Sequence, residues 1–438
     1  MNDSLTQVFQ ADEVHRALKQ THPKKSPGPD GMPHFFYQHF WSLVGDCVTK
    51  TVLDFLNHGI TPLNFNETHV VLIPKIKNPK KITQYRPISL TNVISRLASK
   101  VIANRLKCFL PQIISENQSA FISDYLITDN ILVAFEIMHR INTKRSGKVG
   151  EMTLKLDMSK AFDKVEWGCL EKIMYKMGFH DSWVKLMMRY VNTVTYSIKI
   201  NGRPRGHITP SRGLRQGDPL SPFLFLFCVE GLSALIRKSV EFGLLSGVAA
   251  CPRGPKISHL FFADDSLIFC KATVEECTTL EEILEIYECS SGQQLNREKT
   301  SLFFSRNTPH EIKEAIKSRF GANIIRQYET YLGLPSLVGK NRCNTFRALK
   351  EKLSNKLSGW KEKLLSHASK EVLVKAVAQA IPIYTMSVFQ LLSAPCNELT
   401  SMVKSFWWGN TMERTKLHVL AGTKSVHQKL RAALGFVT

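Results

Sequence analysis

The stretch His259-Leu260-Phe261-Phe262-Ala263-Asp264-Asp265-Ser266-Leu267-Ile268-Phe269 decides the fold. Two short apolar runs flank a polar centre, and this pattern predicts two strands joined by a hairpin turn, with both aspartates at or beside the turn. Aspartate is also an ordinary turn residue. Carboxylates held at the rim of a buried sheet repel each other, however, and a cation between them removes that repulsion. The stretch therefore predicts a hairpin that carries either a plain turn or a metal site.

A third carboxylate stands about a hundred positions earlier, at the end of Met152-Thr153-Leu154-Lys155-Leu156-Asp157. The alternating apolar and polar residues predict a half-buried strand that ends at Asp157, before a loop and a helix through Leu170. Taken alone, Asp157 is better explained as a helix N-cap or a turn residue than as a metal ligand. With Asp264 and Asp265 it forms an all-oxygen set that favours Mg²⁺ or Mn²⁺ over zinc. Two such ions, roughly 3.5 to 4 Å apart, stabilise the attacking and leaving oxygens of an in-line displacement.

The composition agrees with a polyanionic partner. Lys and Arg outnumber Asp and Glu by 58 to 37, which gives a net charge of +21, a field suited to nucleic acid, although a merely basic soluble protein has the same balance. The longest apolar run, Phe223 to Val229, is too short to cross a bilayer. The N-terminal residues lack the pattern of a secretory signal, and the ten cysteines contain no C-x-x-C pair. We therefore expect an intracellular protein, nuclear or cytoplasmic, without a membrane span.

Several segments have a clear local structure. Lys24-Lys25-Ser26-Pro27-Gly28-Pro29-Asp30-Gly31 must be a loop, because two prolines and two glycines fix successive turns. Thr68 to Ile73 reads as a buried strand that Pro74 ends. A helix follows Pro87, and its basic residues predict a face towards anions or solvent: Arg96, Lys100 and Arg105.

A shaped loop lies between the carboxylates, in Ser211-Arg212-Gly213-Leu214-Arg215-Gln216-Gly217-Asp218-Pro219-Leu220-Ser221-Pro222, and an apolar helix to Leu235 follows it. Its glycines and prolines fix turns, and Gln216 supplies a neutral hydrogen-bonding group among them. With this loop in place between Asp157 and the aspartate pair, the chain resembles the reverse transcriptases of plant non-LTR (LINE-type) retrotransposons. The resemblance is collinear from about Lys24 to Asn410.

The resemblance implies roles for the carboxylates and for one aromatic residue. Asp157, Asp264 and Asp265 match the ligands of two Mg²⁺ ions, for which Mn²⁺ is a possible substitute. Phe162 in the motif LDMSKAFD matches the steric gate that excludes a 2′-hydroxyl and so favours dNTP over NTP. Without the resemblance, Phe162 is equally well explained as an aromatic residue that packs at a helix start.

Further residues match the nucleotide site of the same family. Lys75 in LIPK and Arg86 in QYRPISL correspond to residues that grip the triphosphate, which suits a flexible cation and a bidentate guanidinium. Gln216 resembles the residue that contacts the nascent base pair and the template. Lys299 matches a lysine proposed as general acid for the departing pyrophosphate, with Arg297 as a near neighbour.

Two segments resemble contacts to the nucleic acid. Tyr331-Leu332-Gly333-Leu334-Pro335 is similar to the primer grip, the tight turn that directs the primer 3′ end towards the metals. The loop at 27–31 is similar to an upstream element that contacts the template. The resemblance thus implies an RNA template, a DNA primer and dNTPs as partners, with copying of a DNA template as an open alternative, and it leaves protein partners unidentified.

The region after Pro335 differs in character. From Lys340 to Lys375, ten Lys or Arg stand against three Glu. One helix there has an apolar stripe with lysines on its other faces, a pattern typical of a thumb on a duplex backbone or of a plain solvated face. A second helix is expected from Lys370 to Ile381, apolar on most sides and ended by Pro382. The stripe comprises Leu349, Leu353, Leu357, Trp360 and Leu364.

The predicted fold is α+β: a right-hand polymerase with fingers and an antiparallel palm sheet, followed by a helical thumb. No endonuclease, Cys/His-rich or ribonuclease H region accompanies it, so a truncated or frame-damaged element is expected. The predicted domains are an N-terminal helical extension with the template loop (1–66), fingers and palm (67–335), thumb (336–410) and a degenerate tail (411–438).

The predicted enzyme is an RNA-directed DNA polymerase, a nucleotidyltransferase that extends a primer 3′-hydroxyl by two-metal phosphoryl transfer. Two alternatives stay open at this point. One is an inactive remnant that binds nucleic acid through its basic surface, and the other is an RNA-dependent RNA polymerase, against which Phe162 argues.

Overall fold

The computed structural model describes residues 1–251, 253–325, 330–335, 346–361, 365–391 and 393–408. The α-helices in these ranges are α1 Asn2–Leu5, α2 Ala11–Lys19, α3 His34–His39, α4 Trp41–Leu53, α5 Val93–Lys107, α6 Leu110–Ile113, α7 Ile127–Thr143, α8 Trp167–Lys176, α9 Asp181–Asn192, α10 Ser221–Glu241, α11 Val274–Ser291, α12 His310–Phe320, α13 Arg347–Lys361, α14 His367–Leu373, α15 Ala380–Met386 and α16 Ser393–Trp408.

 The strands are β1 Glu67–Pro74, β2 Tyr85–Thr91, β3 Glu151–Leu156, β4 Thr195–Ile200, β5 Arg203–Ile208, β6 Val248–Ala249, β7 Lys256–Ile257, β8 His259–Phe262, β9 Asp265–Lys271, β10 Ser301–Phe304, β11 Asn323–Ile324, β12 Thr330–Tyr331 and β13 Leu334–Pro335. Short 3₁₀ turns span Ile82–Gln84 and Ala161–Lys164, and π-helical turns span Asp54–His58 and Val374–Ala378.

The chain divides into two compact units. The first comprises Met1–Ile127 and Arg140–Ile324, and the second comprises Thr128–His139 and the chain from Ile325 onwards. The domain borders predicted from the sequence stay a prediction. They separate functional parts such as palm and thumb, whereas the two units are separated by the packing of the chain. The predicted tail, 411–438, lies outside the described residues.

The central sheet of the first unit has the strand order β11-β10-β3-β9-β8. Strand β3 is antiparallel to both β9 and β10, and β8 is antiparallel to β9, whereas β10 and β11 run parallel. The predicted hairpin is confirmed as β8 and β9. The prediction of a half-buried β3 was wrong, because its residues other than Lys155 are buried. Helix α11 packs on the sheet here, with Cys277 Sγ 3.8 Å from Met152 Sδ.

The second sheet of this unit has the order β2-β1-β4-β5. Its strand β1 is the strand predicted at Thr68 to Ile73, but the prediction that it is buried was wrong, since only Thr68 is buried and Ile73 is exposed. Strand β1 pairs antiparallel with β2 so that Ile73 stands opposite Arg86. On its other side β1 runs parallel to β4. The turn between β1 and β2 therefore places Lys75 and Arg86 at one end of the sheet.

Helix α5 corrects a prediction about charge. Arg96 is only 4% exposed and donates from Nε to Thr91 Oγ1 at 3.2 Å. Arg105 pairs with Glu13, with 2.7 Å between Nε and Oε1. The prediction that these arginines face anions or solvent was wrong, because Thr91 at the end of β2 is the partner of Arg96, and Glu13 of α2, 92 positions away, is the partner of Arg105.

The second unit has its own small core. Leu353 and Leu357 of α13 pack there with Leu399, Val403 and Phe406 of α16, and Leu349 and Trp360 lie against it. The predicted apolar stripe is thus confirmed for four of its members, and the fifth, Leu364, lies outside the described residues.

The prediction of a single helix from Lys370 to Ile381 was wrong in its extent. The segment divides into α14, a π-helical turn and α15, and Pro382 lies inside α15 instead of ending a helix. Helix α14 also contributes no buried residue. The backbone stays helical between the π-helical turn and α15, because Gln379, the one residue between them, is also in the right-handed helical region. Across the described ranges, no helix is long and apolar enough to cross a membrane.

Candidate active site

The turn between β8 and β9 consists of Ala263 and Asp264, since Phe262 pairs with Asp265. Ala263 has a φ of 55°, in the left-handed region that residues with a Cβ seldom adopt. This turn leaves Asp264 exposed at the tip and places Asp265, half-buried, at the first position of β9. The two carboxylates are therefore held by a short and strained connection.

Asp157 follows directly after β3, and the pairing of Leu156 with Ser266 brings the ends of β3 and β9 side by side. Its carboxylate Oδ2 accepts a hydrogen bond from Asn296 Nδ2 at 3.2 Å and lies 3.4 Å from Lys299 Nζ. The main-chain N–H of Asn296 also donates to the carbonyl oxygen of Asp157 at 2.8 Å. The structure thus brings the predicted Lys299 to the predicted Asp157.

The three aspartates, called the carboxylate edge below, influence each other electrostatically. Burial raises the pKa of Asp265, the negative charges of Asp264 and Asp157 raise it further, and Lys155 opposes the shift. Among the residues that the structure describes, no three His, Cys, Asp or Glu side chains already form a closed ligand group. The donor set nevertheless fits a hard divalent cation, because it consists of carboxylate oxygens whose mutual repulsion such an ion would remove.

Phe162 lies five residues after Asp157, in the 3₁₀ turn Ala161–Lys164. Its ring stacks on Phe225 of α10, with 4.8 Å between the ring centroids and 19° between the planes. Its carbonyl oxygen accepts from the N–H of Leu214 at 2.7 Å, which fastens the loop of residues 211–222 to this segment. Gly213 has a φ of 90°, and a Cβ there would lie 2.7 Å from the carbonyl oxygen of Asp163. The close approach of the two segments therefore requires glycine at this position.

Gln216 is held from two sides. Its carbonyl oxygen accepts from the N–H of Ser89 in β2 at 2.9 Å, and its Nε2 lies 3.5 Å from Asp163 Oδ1. Burial raises the pKa of Asp163, while the charges of Lys160 and Lys75 oppose the shift. Asp163 therefore contacts Gln216 and lies within the electrostatic influence of Lys75, although no local pattern in the sequence distinguishes it from a turn residue after Phe162.

The two cations of the predicted triphosphate grip are both exposed. The N–H of Lys75 donates to the carbonyl oxygen of Gln84 at 2.8 Å, and its Nζ donates to the carbonyl oxygen of Thr83 at 3.3 Å. Arg86 stands in the neighbouring strand, opposite Ile73. Both side chains are thus presented at the β1–β2 turn.

The loop at 27–31 packs on the junction between β2 and α5. A Cβ at Gly28 would lie 2.4 Å from the main-chain nitrogen of Asn92, and the N–H of Asp30 donates to Asn92 Oδ1 at 3.1 Å. The loop therefore has a defined place beside the strand that carries Arg86.

Beneath Gln216 lies a buried group of polar side chains, called the Arg215 network below and formed by Arg215, Asp218, Tyr190, Ser99 and Asn66. Asp218 accepts from Tyr190 Oη at 2.5 Å and from Ser99 Oγ at 2.6 Å, and Arg215 Nη2 lies 3.4 Å from Asp218 Oδ2. Arg215 also donates to Asn66 Oδ1 at 3.0 Å. Burial alone would lower the pKa of Arg215, but Tyr190 and Asp218 outweigh it, so the pKa is raised.

The predicted primer grip belongs to the second unit. Leu332 and Gly333 connect β12 to β13 with φ values of 50° and 79°. Two consecutive positive φ angles are typical of a type I′ hairpin turn. Tyr331 Oη donates to Asn130 Oδ1 at 2.7 Å, and Tyr384 Oη donates to the carbonyl oxygen of Leu332 at 2.8 Å. The predicted tight turn is confirmed, and its role stays a prediction.

Comparison with known families matches residues 74–335 to the family described as reverse transcriptase (RNA-dependent DNA polymerase). The chain belongs to the reverse transcriptase family. The predicted fold class, a right-hand polymerase with mixed helices and antiparallel sheets, and the predicted enzyme class, an RNA-directed DNA polymerase, are thereby confirmed.

Individual relatives agree with the family. The reverse transcriptase is 28% identical over 290 residues to the "Transposon TX1 uncharacterized 149 kDa protein" of Xenopus laevis, covering 66% of this chain and 22% of that protein. It is 30% identical over 266 residues to the Pol polyprotein of a type-1 retrotransposable element R2 of Nasonia vitripennis, covering 59% and 23%. It is 41% identical over 114 residues to an uncharacterized mitochondrial protein of Arabidopsis thaliana, covering 25% and 89%.

The chain thus spans less than a quarter of the length of the first and second of these relatives. The similarity to R2 retrotransposable elements supports the predicted resemblance to non-LTR reverse transcriptases.

Proposed function

We propose that this reverse transcriptase extends the 3′-hydroxyl of a primer with dNTPs on an RNA template, as part of a LINE-type retroelement of a plant. The observation that carries the proposal is the carboxylate edge: Asp157 follows the end of β3, Asp265 begins the neighbouring strand β9, and the pKa of Asp265 is raised by burial and by both other aspartates. A group of three carboxylates whose negative charge Lys299 and Lys155 offset only in part suits cation-assisted phosphoryl transfer.

In the proposed mechanism Asp157, Asp264 and Asp265 would hold two Mg²⁺ ions, or Mn²⁺ in their place. When bound, such ions lower the pKa of the primer hydroxyl and neutralise the charge of the triphosphate. Lys299 lies 3.4 Å from Asp157 and would donate a proton from Nζ to the departing pyrophosphate. These assignments rest on the family resemblance together with the proximity of the residues.

The nucleotide would lie against the segment from Phe162 to Gln216. Phe162, fixed by its stacking on Phe225, would exclude a 2′-hydroxyl, and Lys75 and Arg86 would bind the triphosphate through charge-assisted hydrogen bonds. Gln216 would contact the nascent base pair. Asp163, within 3.5 Å of Gln216, would keep that side chain oriented.

The proposed partners are the RNA template and a DNA primer. The loop at 27–31 would contact the template, and Tyr331, Leu332 and Gly333 would hold the primer. The lysines of α13 would contact the duplex backbone without regard to sequence, so that affinity falls as salt rises.

The proposal is tested by primer extension on a primed RNA template with Mg²⁺, with dNTPs or rNTPs, for the unchanged chain and for Asp157→Asn. We expect incorporation of dNTPs that is lost in Asp157→Asn while template binding persists. Binding without any incorporation by the unchanged chain would instead show the alternative of an inactive remnant.

The same assay separates the other alternative. An RNA-dependent RNA polymerase would prefer rNTPs, whereas a working gate at Phe162 predicts a preference for dNTPs that weakens in Phe162→Val. If Phe162→Val gains no incorporation of rNTPs, the assignment of the gate is wrong.

A further inference from the structure

The outer edge of β8 is covered by an irregular segment of residues 117–120. The N–H of Phe261 donates to the carbonyl oxygen of Asn117 at 2.7 Å, and the N–H of Ser119 donates to the carbonyl oxygen of Phe261 at 3.2 Å. Asn117 Nδ2 adds a bond of 2.9 Å to the carbonyl oxygen of His259. This segment therefore takes the place of a further strand beside the hairpin that carries Asp264 and Asp265.

The start of β8 is fixed from the other direction by buried side chains. His259 Nε2 shares a hydrogen bond of 2.9 Å with Ser233 Oγ of α10, and Ser233 Oγ shares one of 2.9 Å with Ser115 Oγ. Glu230 accepts from Ser115 Oγ at 2.9 Å. The base of the hairpin is thus anchored, and its tip depends on separate contacts.

Gln118 supplies a contact at the tip. Its Oε1 accepts from the N–H of Ala263 at 3.1 Å and from the N–H of Ala120 at 2.9 Å, and the residue is 1% exposed. Because both partners are donors, they determine which end of the amide is the oxygen. The carbonyl group of Gln118 therefore joins the supporting segment to the turn itself.

Two features show that this arrangement is costly to the fold. Ala263 holds a φ of 55°, which is strained for a residue with a Cβ. Gln118 Nε2 is buried and has no hydrogen-bond partner, a loss that a purely apolar side chain would avoid. Strain and an unpartnered donor at one place are typical of a functional constraint rather than of optimal packing.

We propose that Gln118 is a positioning residue for the metal-binding hairpin: its Oε1 holds the Ala263 N–H and so keeps Asp264 and Asp265 in the geometry that binds the cations. The inference rests on the proposed function for its catalytic consequence. Its structural part, the hydrogen bond that restrains the turn, is measurable without activity.

The first test is hydrogen–deuterium exchange at the amide of Ala263. Gln118→Met keeps the shape of the side chain and removes the acceptor, whereas Gln118→Glu keeps an acceptor and removes the unpartnered donors. We expect exchange at Ala263 to rise about fivefold in Gln118→Met, the value of one net hydrogen bond, and to stay unchanged in Gln118→Glu. Unchanged exchange in Gln118→Met overturns the proposal.

The second test is the Mg²⁺ concentration for half-maximal primer extension. In Gln118→Met we expect that concentration to rise about fivefold and kcat to fall roughly tenfold to a hundredfold, with little change in the KM for dNTP. In Gln118→Glu the retained acceptor for the Ala263 N–H keeps the concentration close to that of the unchanged chain. A raised Mg²⁺ requirement in Gln118→Glu overturns the proposal, even if Gln118→Met fails to fold.

Asn57→Leu is the matched control, because Asn57 also makes two hydrogen bonds to main-chain groups, accepting from the N–H of Phe9 at 2.8 Å and donating to its carbonyl oxygen at 3.2 Å. It should leave the Mg²⁺ requirement unchanged, and an equal rise there would show a merely structural effect and overturn the inference. If the unchanged chain incorporates no nucleotide, the proposed function fails, and exchange at Ala263 alone then decides the role of Gln118.

Discussion

The carboxylate edge and the Arg215 network lie in the same unit, but their charges are arranged in opposite ways. The carboxylate edge places like charges side by side, whereas the Arg215 network pairs opposite charges. At the carboxylate edge, Asp264 is exposed and Asp265 only half-buried, yet their charges repel and the pKa of Asp265 is raised. In the Arg215 network, Arg215 is 5% and Asp218 3% exposed, yet they are paired with each other and with Tyr190 and Ser99.

The difference teaches that depth of burial does not identify a functional charge. A deeply buried charge that has partners contributes to the stability of the fold. A less deeply buried group of like charges lowers that stability, and its presence therefore indicates a function. The following changes test this contrast, from the largest expected effect to the smallest.

Asp265→Asn should lower the rate of nucleotide addition by at least about a thousandfold, in the upper range for loss of one charge-stabilising group. The same change should preserve or raise the metal-free stability at pH 7. A folded pKa above the ordinary 3.8 means that stability falls as pH rises from 3.8 through the folded pKa, so the ionised carboxylate is unfavourable at neutral pH. Single-nucleotide addition and thermal melts in EDTA measure the two effects. A large loss of stability would contradict the contrast.

Asp218→Asn should lower the free energy of unfolding by about 3 to 5 kcal/mol, because it leaves the buried Arg215 without its negatively charged partner. Asp12→Asn is the control: Asp12 and Arg16 form an exposed pair at 2.7 Å, and breaking it should cost at most about 1 kcal/mol. Denaturant titration measures both changes. Equal effects would show that the Arg215 network is no more important to the fold than a surface pair.

Gly213→Ala should lower stability by about 1 to 3 kcal/mol and slow nucleotide addition, because it combines a positive φ with a Cβ only 2.7 Å from the carbonyl oxygen of Asp163. Gly202→Ala separates the two causes, since Gly202 has a φ of 79° and no atom within 4 Å of its Cβ position. Denaturant titration and extension assays on both variants test the prediction. An effect of equal size in Gly202→Ala would remove the role of the close approach.

His34→Leu should change the pH dependence of stability. Burial lowers the pKa of His34 to about 4, with Arg96 and Lys25 adding to the shift. The unfolded chain therefore takes up the proton first, and stability falls as pH drops from 6.5 towards 4. Thermal melts over this range should show that stability depends on pH less steeply in His34→Leu, by the equivalent of about one bound proton. An unchanged slope would show that His34 is not held neutral.

Local patterns predicted the parts of the site that follow from neighbouring residues. The apolar runs around Asp264 and Asp265 specify a hairpin, and the strand before Asp157 specifies its position at a sheet end. Long-range pairing was not predictable in the same way. The partner of Arg105 is Glu13, 92 residues away, and the central place of β3 depends on β9 and β10.

The supporting residues were missed for the same reason. Gln118 contacts Ala263 across 145 positions, and Asp163 contacts Gln216 across 53. A buried glutamine or a turn aspartate carries no local signal of such a contact. The roles of the site residues were proposed from resemblance, whereas the network that holds them is visible only in the folded chain.

The most direct test of the account is Mg²⁺-dependent addition of a single dNTP to a primed RNA template by the unchanged chain and by Asp264→Asn, at protein concentrations that give equal template binding. The account predicts addition by the unchanged chain and none above background in Asp264→Asn. Equal addition by both proteins, or addition by the unchanged chain in EDTA, would contradict it.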